Sequence, residues 1–469
     1  MQKPAITIIG AGLVGSLLAT LLAQRGFPIT VLERRPDPRK FGFLGGRSIN
    51  LALAERGWHG LRVAGMQERM RSIAVMMRGR MVHDLNGRTN LQRYGRDDSE
   101  VIWSVSRGAL NMALLDAAEA AGATVHFDRG LVSVDWACMD LQFRDSDGTE
   151  HSHHAGIVIG ADGAGSALRG AMAAQQELGE RFEPLGHGYK ELEIPALADF
   201  PREQLPAELA DALARGERYA IEPHALHIWP RGNYMCIALP NAEGSFTVTL
   251  FLPNEGEPSL QTVVSAKQAR EFFQRDFADT VPLIPELEKD FVGNPTGLLG
   301  TLYLDRWHYE GRALLVGDAS HAIVPFHGQG MNSGFEDAVE LADLLESRPN
   351  DCAAVFAEFE RRRKPNADAI AAMALENYVE MRDRVDDADY LLMRELDRLL
   401  ADRHPGRWVP RYWMVTFSRI PYLTAFERGA LQSSWLREWI DGVSSIDQLD
   451  LPAIDMQIRN KLDFLPTDA

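Results

Sequence analysis

With 469 residues, 45% of them hydrophobic and 25% charged, the chain has enough apolar material for two or three tightly associated globular parts. Its formal net charge of −17, from 49 basic and 66 acidic side chains, argues against nucleic acid and anionic membrane surfaces as partners. Cys138, Cys236 and Cys352 lie far apart without metal-ligand spacing, so they read as reduced and buried, with no metal site. The first strand leaves no room for a signal peptide, and no apolar run approaches the about 18 residues of a membrane helix, so a cytoplasmic protein is expected.

Ala5 to Ile9 is a continuous apolar run, the pattern of a strand covered on both faces. Gly10, Gly12 and Gly15 follow as G-x-G-x-x-G, with Leu13 and Val14 inside the motif. An amphipathic helix runs through Leu17, Leu18, Leu21 and Leu22 to Gly26, and Pro28 to Leu32 forms a second strand ending at Glu33. A carboxylate about twenty residues past such glycines holds ribose hydroxyls, so this order predicts a dinucleotide site. The motif alone does not separate FAD from NAD.

Farther along, alternation places Arg78, Arg80 and Val82 on one face of a candidate strand. An arginine fork there suits a carboxylate better than a lysine would. Arg107 to Ala121 reads as a helix and Thr124 to Phe127 as a strand. Gly156 to Gly165, GIVIGADGAG, reads as a buried strand running into Asp162-Gly163. Ala225 to Trp229, Tyr234 to Leu239 and Phe246 to Leu252 are short runs separated by Pro, Gly and Asn, the marks of an antiparallel sheet. Residues 253–270 read as exposed.

The segment GDASHAIVPFHGQGMN, Gly317 to Asn332, is the most informative in the chain. Ala313 to Val316 reads as a strand ending in Gly-Asp, then a loop, then a helix opening at Gln329-Gly330-Met331-Asn332. Gly317 permits close backbone approach, and Asp318 offers a carboxylate to hydroxyls. The helix start presents unpaired N–H groups and a positive dipole end. Together these suit a polyol chain and a ring that becomes anionic on reduction, which describes a flavin and turns the first motif into an FAD site.

From Cys352 onward the pattern is helical, through Ala353 to Arg363 and then Pro365 to Arg384, and the last twenty residues read as exposed. Met373, Asn377 and Met381 recur at i, i+4, i+8, which sets an amide needing hydrogen-bond partners in a thioether stripe. The expected fold class is α/β. A Rossmann-like FAD-binding domain would be discontinuous over 1–75, 100–180 and 295–350. An antiparallel-sheet substrate domain would occupy 76–99 and 181–294, and a helical C-terminal region 351–469.

The three cofactor segments resemble the FAD-dependent aromatic hydroxylases of the para-hydroxybenzoate hydroxylase type. Within that group, five strings are similar to the kynurenine 3-monooxygenase family: GRSINLALAERG from Gly46, VMMRGRMVH from Val75, HGYKEL from His187, VPFHGQGMN from Val324 and ENYVEM from Glu376. The resemblance runs from the first strand to about Pro421. Leu451 to Ala469 is polar where eukaryotic members carry a hydrophobic anchor, so the soluble bacterial forms are the ones resembled.

This resemblance implies noncovalent FAD, and hydroxylation of L-kynurenine to 3-hydroxykynurenine with NADPH and O2 through a C4a-hydroperoxyflavin. No dedicated catalytic base is implied. Arg80 and Tyr94 would share the substrate carboxylate, Asn377 and Tyr412 would add contacts, and Pro325, Phe326 and His327 would line the ring. His327 is a tempting general base, but a structural or hydrogen-bonding role suits it better. On the cofactor side the resemblance implies Gly10, Gly12, Leu13, Val14, Gly15, Glu33, Arg34, Arg35, Ala52, Arg107, Leu131, Asp162, Asp318, Gln329, Gly330, Met331 and Asn332, with Arg47 nearby. No second strand–GxGxxG–helix unit is evident, so NADPH is expected to dock transiently on the cofactor domain of a monomer or homodimer.

Two other readings stay open. One is a different flavin oxygenase, acting on a related aminoaryl or phenolic substrate; a halogenase would need paired tryptophans and a lysine, and HIWPRGNYMCIALP has Trp229 alone and no lysine. The other is a non-catalytic flavin-binding sensor, which would hold flavin without substrate-stimulated NADPH oxidation.

Overall fold

Two sheets meet across a shared cavity in the computed structural model, which describes residues 3–42, 50–383 and 388–466. The chain opens with β1 (Ile6–Ile9), the helix Leu13–Gln24 and β2 (Ile29–Leu32). Next come β3 (Asn50–Leu53), the helix Glu55–Val63, β4 (Ala74–Met77), β5 (Gly79–His83), β6 (Thr89–Arg93) and β7 (Ile102–Ser106). After the helix Arg107–Ala120 follow β8 (Thr124–His126), β9 (Gly130–Asp135), β10 (Asp140–Arg144), β11 (Glu150–His154) and β12 (Ile157–Gly160). The larger sheet is built from β13 (Arg181–Ile194), β14 (Leu226–Pro230), β15 (Met235–Pro240), β16 (Phe246–Pro253) and β17 (Gly297–Tyr303). β18 (His308–Tyr309) and β19 (Ala313–Leu315) return the chain to the first sheet.

That first sheet has the order β18-β19-β12-β1-β2-β8 and is parallel except for β18. β1 and β12 are buried at every position, as their unbroken apolar runs require. The helix Leu13–Gln24 packs on β1 closely enough that a Cβ on Gly15 would stand 2.0 Å from the Gly10 carbonyl oxygen.

The seven-stranded sheet has the order β17-β13-β16-β15-β14-β5-β6. It departs from the antiparallel expectation at one joint: β14 runs parallel to β5, pairing Leu226 with Arg80. It also takes in β17, beyond the expected boundary at 294, because Arg181 to Tyr189 needs a partner along its outer edge. One face packs Leu192, Trp229, Leu250 and Phe273; the other turns Met235, Leu239 and Phe251 toward the cavity.

Four further expectations need correction. Residues 352–383 form one helix with Pro365 inside it, because Val355, Phe356, Phe359, Ile370 and Met373 are buried on either side and packing outweighs one lost backbone bond. The C-terminal residues are not all exposed: the helix Leu451–Lys461 buries Ile454 and Ile458 against Trp435 and Trp408. Within 253–270, Ser259, Val263 and Ala269 are buried. Cys138 is exposed, since it lies in the turn between β9 and β10.

Candidate functional site

The C-terminal ends of β1, β12 and β19 open into a cavity of about 580 Å³, the place where open α/β sheets hold ligands. Gly10, Gly12, Leu13, Val14, Glu33, Arg34, Arg35, Ala52, Arg107, Leu131, Asp162, Asp318, Gly330 and Met331 line one part of it. Arg80, Tyr94, Pro325, Phe326, His327, Asn377 and Tyr412 line the other. The structure thus gathers residues from separate stretches of chain around one space.

At the β1 end, a Cβ on Gly12 would meet no protein atom within 4 Å, so the backbone there faces open room at a helix start. Glu33 is braced by the chain: Oε2 accepts from the Ala11 N–H at 2.8 Å and Oε1 from the Arg35 N–H at 2.9 Å. Asn111, which sequence reasoning passed over as one polar position on a helix, donates to the Ala11 carbonyl at 2.9 Å. Asp162 takes the Ser166 hydroxyl at 2.5 Å and the Ala167 N–H at 2.7 Å, bracing the turn beneath the cavity. At the far end Gly317, with φ of +58°, turns the chain so that Asp318 reaches the cavity wall.

Three of the cofactor-side expectations stand behind the wall. Gly15 serves the packing of helix on strand. Asn332 is spent on the chain itself, accepting from Ala54 N–H at 3.0 Å and donating to the carbonyls of Ala52 and Gly328, each at 2.8 Å. Gln329 Oε1 accepts from the Tyr422 hydroxyl at 2.8 Å. Arg47 lies outside the described residues.

On the other side, Arg80 is buried on β5 with its guanidinium 5.8 Å from the ring centroids of both Tyr94 and Tyr412. Those rings stack 5.5 Å apart at 15°, and the His327 ring continues the stack 5.8 Å from Tyr412. Burial pushes both phenols above their ordinary range, so they stay protonated and able to donate. Arg78 does not share this face. The regular strand begins only at Gly79, and Arg78 pairs outside with Asp98 at 3.0 Å.

Asn377 has already given its Nδ2 to the Phe326 carbonyl at 2.6 Å and to Met381 Sδ at 3.4 Å, so its donor side is satisfied by the chain. Loss of hydration pulls His327 down to about 3, and its buried Nδ1 has no hydrogen-bond partner among the described residues. Leu226, Met235, Ile237, Leu239 and Phe251 roof the space with apolar surface.

Past Arg80, Tyr94 and Tyr412 lies a smaller chamber of about 170 Å³ that sequence reasoning missed. Glu380, Arg394, Asp397, Arg398 and Arg411 bring ionisable groups to its walls, and the Tyr390 hydroxyl donates to Glu380 at 2.5 Å. Burial pushes Asp397 up to about 6. These residues sit in helices without motif or glycine punctuation, so no local signal marked them. Among the described residues no group of side chains could hold a metal ion, and no helix is long and apolar enough to cross a membrane.

The parallel sheet, glycine turn, Glu33 carboxylate and distant Gly-Asp turn fit FAD, and the family model described as FAD binding domain matches residues 3–208 and 265–374. That establishes the class, a protein of the FAD-binding-domain family. Kynurenine 3-monooxygenase of Xanthomonas axonopodis pv. citri (strain 306) is 55% identical over 466 residues, 99% of this chain and 98% of that protein. The enzyme of the same name from Stenotrophomonas maltophilia (strain K279a) is 55% identical over 98% of each chain. The chain belongs to the kynurenine 3-monooxygenase family.

Solved structures show the same fold at low identity. The tetrameric 2-methyl-3-hydroxypyridine-5-carboxylic acid oxygenase superposes with a TM-score of 0.64 at 19% identity, over 84% of this chain and 96% of that one. Pseudomonas aeruginosa PqsL in complex with 2-aminobenzoylacetate gives 0.62 at 20% identity, over 81% and 97%.

Proposed function

We propose that this protein hydroxylates L-kynurenine to 3-hydroxykynurenine, with NADPH and O2 as co-substrates. Beyond family membership, one observation carries the reading: a buried guanidinium, Arg80, stands among aromatic rings beside an apolar roof and shares its cavity with the flavin cradle. Kynurenine has the matching shape, an amino-acid head on an aniline ring bearing a ketone.

The residues divide the work by chemistry. Arg80 takes the carboxylate as a fork, and the protonated phenols of Tyr94 and Tyr412 add donors beside it. Asn377, with Nδ2 held by Phe326, offers Oδ1 to the substrate ammonium. The roof of Leu226, Met235, Ile237, Leu239 and Phe251 keeps water from the aryl ring. Phe326 and Pro325 wall the ring, and His327, a weak base at about 3, is a neutral hydrogen-bonding surface and not a proton acceptor.

On the flavin side, Gly12 gives the pyrophosphate its backbone approach, Glu33 holds ribose hydroxyls and Asp318 the polyol. The helix start at Gly330 and Met331 lines the cavity and would offer N–H groups and a positive dipole end to a bound flavin. When bound, FAD supplies acceptance of hydride from NADPH and activation of O2 for transfer of one oxygen atom. The substrate's own amine pushes electron density to the ortho carbon, so the chain needs no base to start.

The test is product identification by mass spectrometry after incubating the purified protein with L-kynurenine, NADPH and air. A product one oxygen heavier, with the hydroxyl ortho to the amine, is expected. NADPH oxidation without any hydroxylated product would overturn the reading.

A further inference from the structure

A buried charged cluster lies outside the cavity wall and has no part in the chemistry above. Its first member is Arg56, on the helix Glu55–Val63, with a side chain that is 0% exposed. One guanidinium nitrogen donates to Glu336 Oε1 at 2.5 Å. The others donate to the carbonyls of Val415, at 3.4 Å, and Ile420. Glu336 Oε2 accepts from Arg363 at 2.6 Å, and Arg363 in turn donates to Asp337 Oδ1 at 2.7 Å. Asp337 Oδ2 completes the series, accepting from the Gly317 N–H at 3.0 Å and bonding His321 at 2.6 Å.

Both ends of this series touch backbone that shapes the site. Gly317 immediately precedes Asp318. Val415 belongs to the short helix Arg411–Thr416, which carries Tyr412. A second strut runs alongside: the Arg56 guanidinium lies 3.9 Å from the centroid of the Tyr422 ring, and the Tyr422 hydroxyl donates to Gln329 Oε1 at 2.8 Å. Gln329 stands between Gly328 and Gly330, both on the cavity wall, and caps the helix that opens toward the flavin.

The charges are not there as cheap filling. Buried ion pairs recover their desolvation only with good geometry and full hydrogen bonding, and removing one partner is strongly destabilising. Here burial works against the Asp337 carboxylate, yet His321 and Arg363 outweigh it and hold the carboxyl below its usual range. A network so completed has one low-energy arrangement, which makes it suited to hold two distant backbone segments in register.

We propose that Arg56 and Tyr422 are positioning residues that tie the helix bearing Tyr412 to the flavin-facing helix start at Gln329. Occupancy at the Arg80, Tyr94 and Tyr412 anchor is thereby carried to the flavin. The inference rests on the function proposed above for its ligands, and its test separates the two.

Tyr422→Phe removes one hydroxyl and leaves the ring under Arg56, so the fold is retained. In the FAD-loaded variant, amide hydrogen exchange over residues 328–334 should speed up about five- to tenfold, the scale of one buried hydrogen bond. The ratio of NADPH-driven flavin reduction rates with and without L-kynurenine should fall by the same about five- to tenfold. Leu287→Ala, a cavity in the separate cluster on the outer face of the seven-stranded sheet, controls for destabilisation and should change neither. Arg56→Lys keeps a charge for Glu336 but loses the carbonyl bonds, and should weaken kynurenine binding about tenfold at unchanged FAD content.

Unchanged exchange or an unchanged ratio in Tyr422→Phe overturns the tie, as does an equal effect in Leu287→Ala. Unaltered kynurenine binding in Arg56→Lys overturns the part given to Arg56. If the parent protein shows no stimulation by kynurenine, the proposed function fails instead, and the exchange measurement alone decides the tie.

Discussion

Tyr94 and Tyr412 stack 5.5 Å apart at an interplanar angle of 15°, although one follows the β5–β6 hairpin and the other sits on a C-terminal helix. The neighbour of Tyr412, Trp413, donates its indole N–H to the Tyr94 carbonyl at 2.9 Å and fixes the pair. Arg80 reaches both rings, so the anchor exists only when sheet and C-terminal region are packed together.

Flavin retention tests the cradle. Gly12→Asp would place a carboxylate in the open space at the helix start, against the pyrophosphate, and Asp318→Ala would remove the polyol acceptor. Each should lower FAD affinity by roughly tenfold or more, about 1.4 kcal/mol, read by fluorescence titration of apoprotein with FAD. Parent-like affinity in both would count against these assignments.

His327 sets a pH dependence in stability. The unfolded imidazole takes a proton near its ordinary 6.5, whereas the folded one waits until about 3. The unfolded chain therefore binds more protons across this window, and stability falls as pH drops below about 6.5. His327→Gln should abolish that loss, gaining about 1–2 kcal/mol relative to parent at about pH 5. It should also remove no limb from the activity profile above that pH. Denaturant melts at two pH values give the first answer; a vanished basic-form limb would contradict the second.

Asp397 acts in the opposite sense. Burial raises its carboxyl from 3.8 to about 6, so the folded chain holds the proton longer and stability declines as pH rises through that interval. Asp397→Asn keeps an acceptor for the Trp408 indole, which now donates to Asp397 at 2.7 Å. It should leave stability unchanged near pH 4 and raise it by about 1–2 kcal/mol near pH 8, after allowance for water in the chamber. A thermal shift of equal size at both pH values would argue against the shifted carboxyl.

The cofactor half of the site was legible in the sequence because its requirements are local. A strand, a turn tight enough that Gly15 meets the Gly10 carbonyl, a helix and then Glu33 are consecutive in the chain. The substrate half depends on juxtaposition. Arg80, Tyr94, Asn377 and Tyr412 come from a strand, a loop and two helices, and only resemblance to a family could assemble them. Alternation could not show that β14 runs parallel to β5, since side-chain period is the same in either direction. It also mistook Arg78 for a neighbour of Arg80. For Arg56 and Arg363, nothing local announces that Glu336 and Asp337 wait for them in the interior.

The most direct test of the account is a comparison of two ligands on two proteins. Flavin fluorescence would be titrated with L-kynurenine and with its decarboxylated analogue, using the parent and Arg80→Ala. The parent should prefer kynurenine by roughly 2–4 kcal/mol, the scale of a desolvated, charge-assisted pair. Arg80→Ala should bind the two alike at unchanged flavin content, and Arg80→Lys should recover only part of the preference. If Arg80→Ala still favours kynurenine as strongly as the parent does, the carboxylate is held elsewhere and the central claim is wrong.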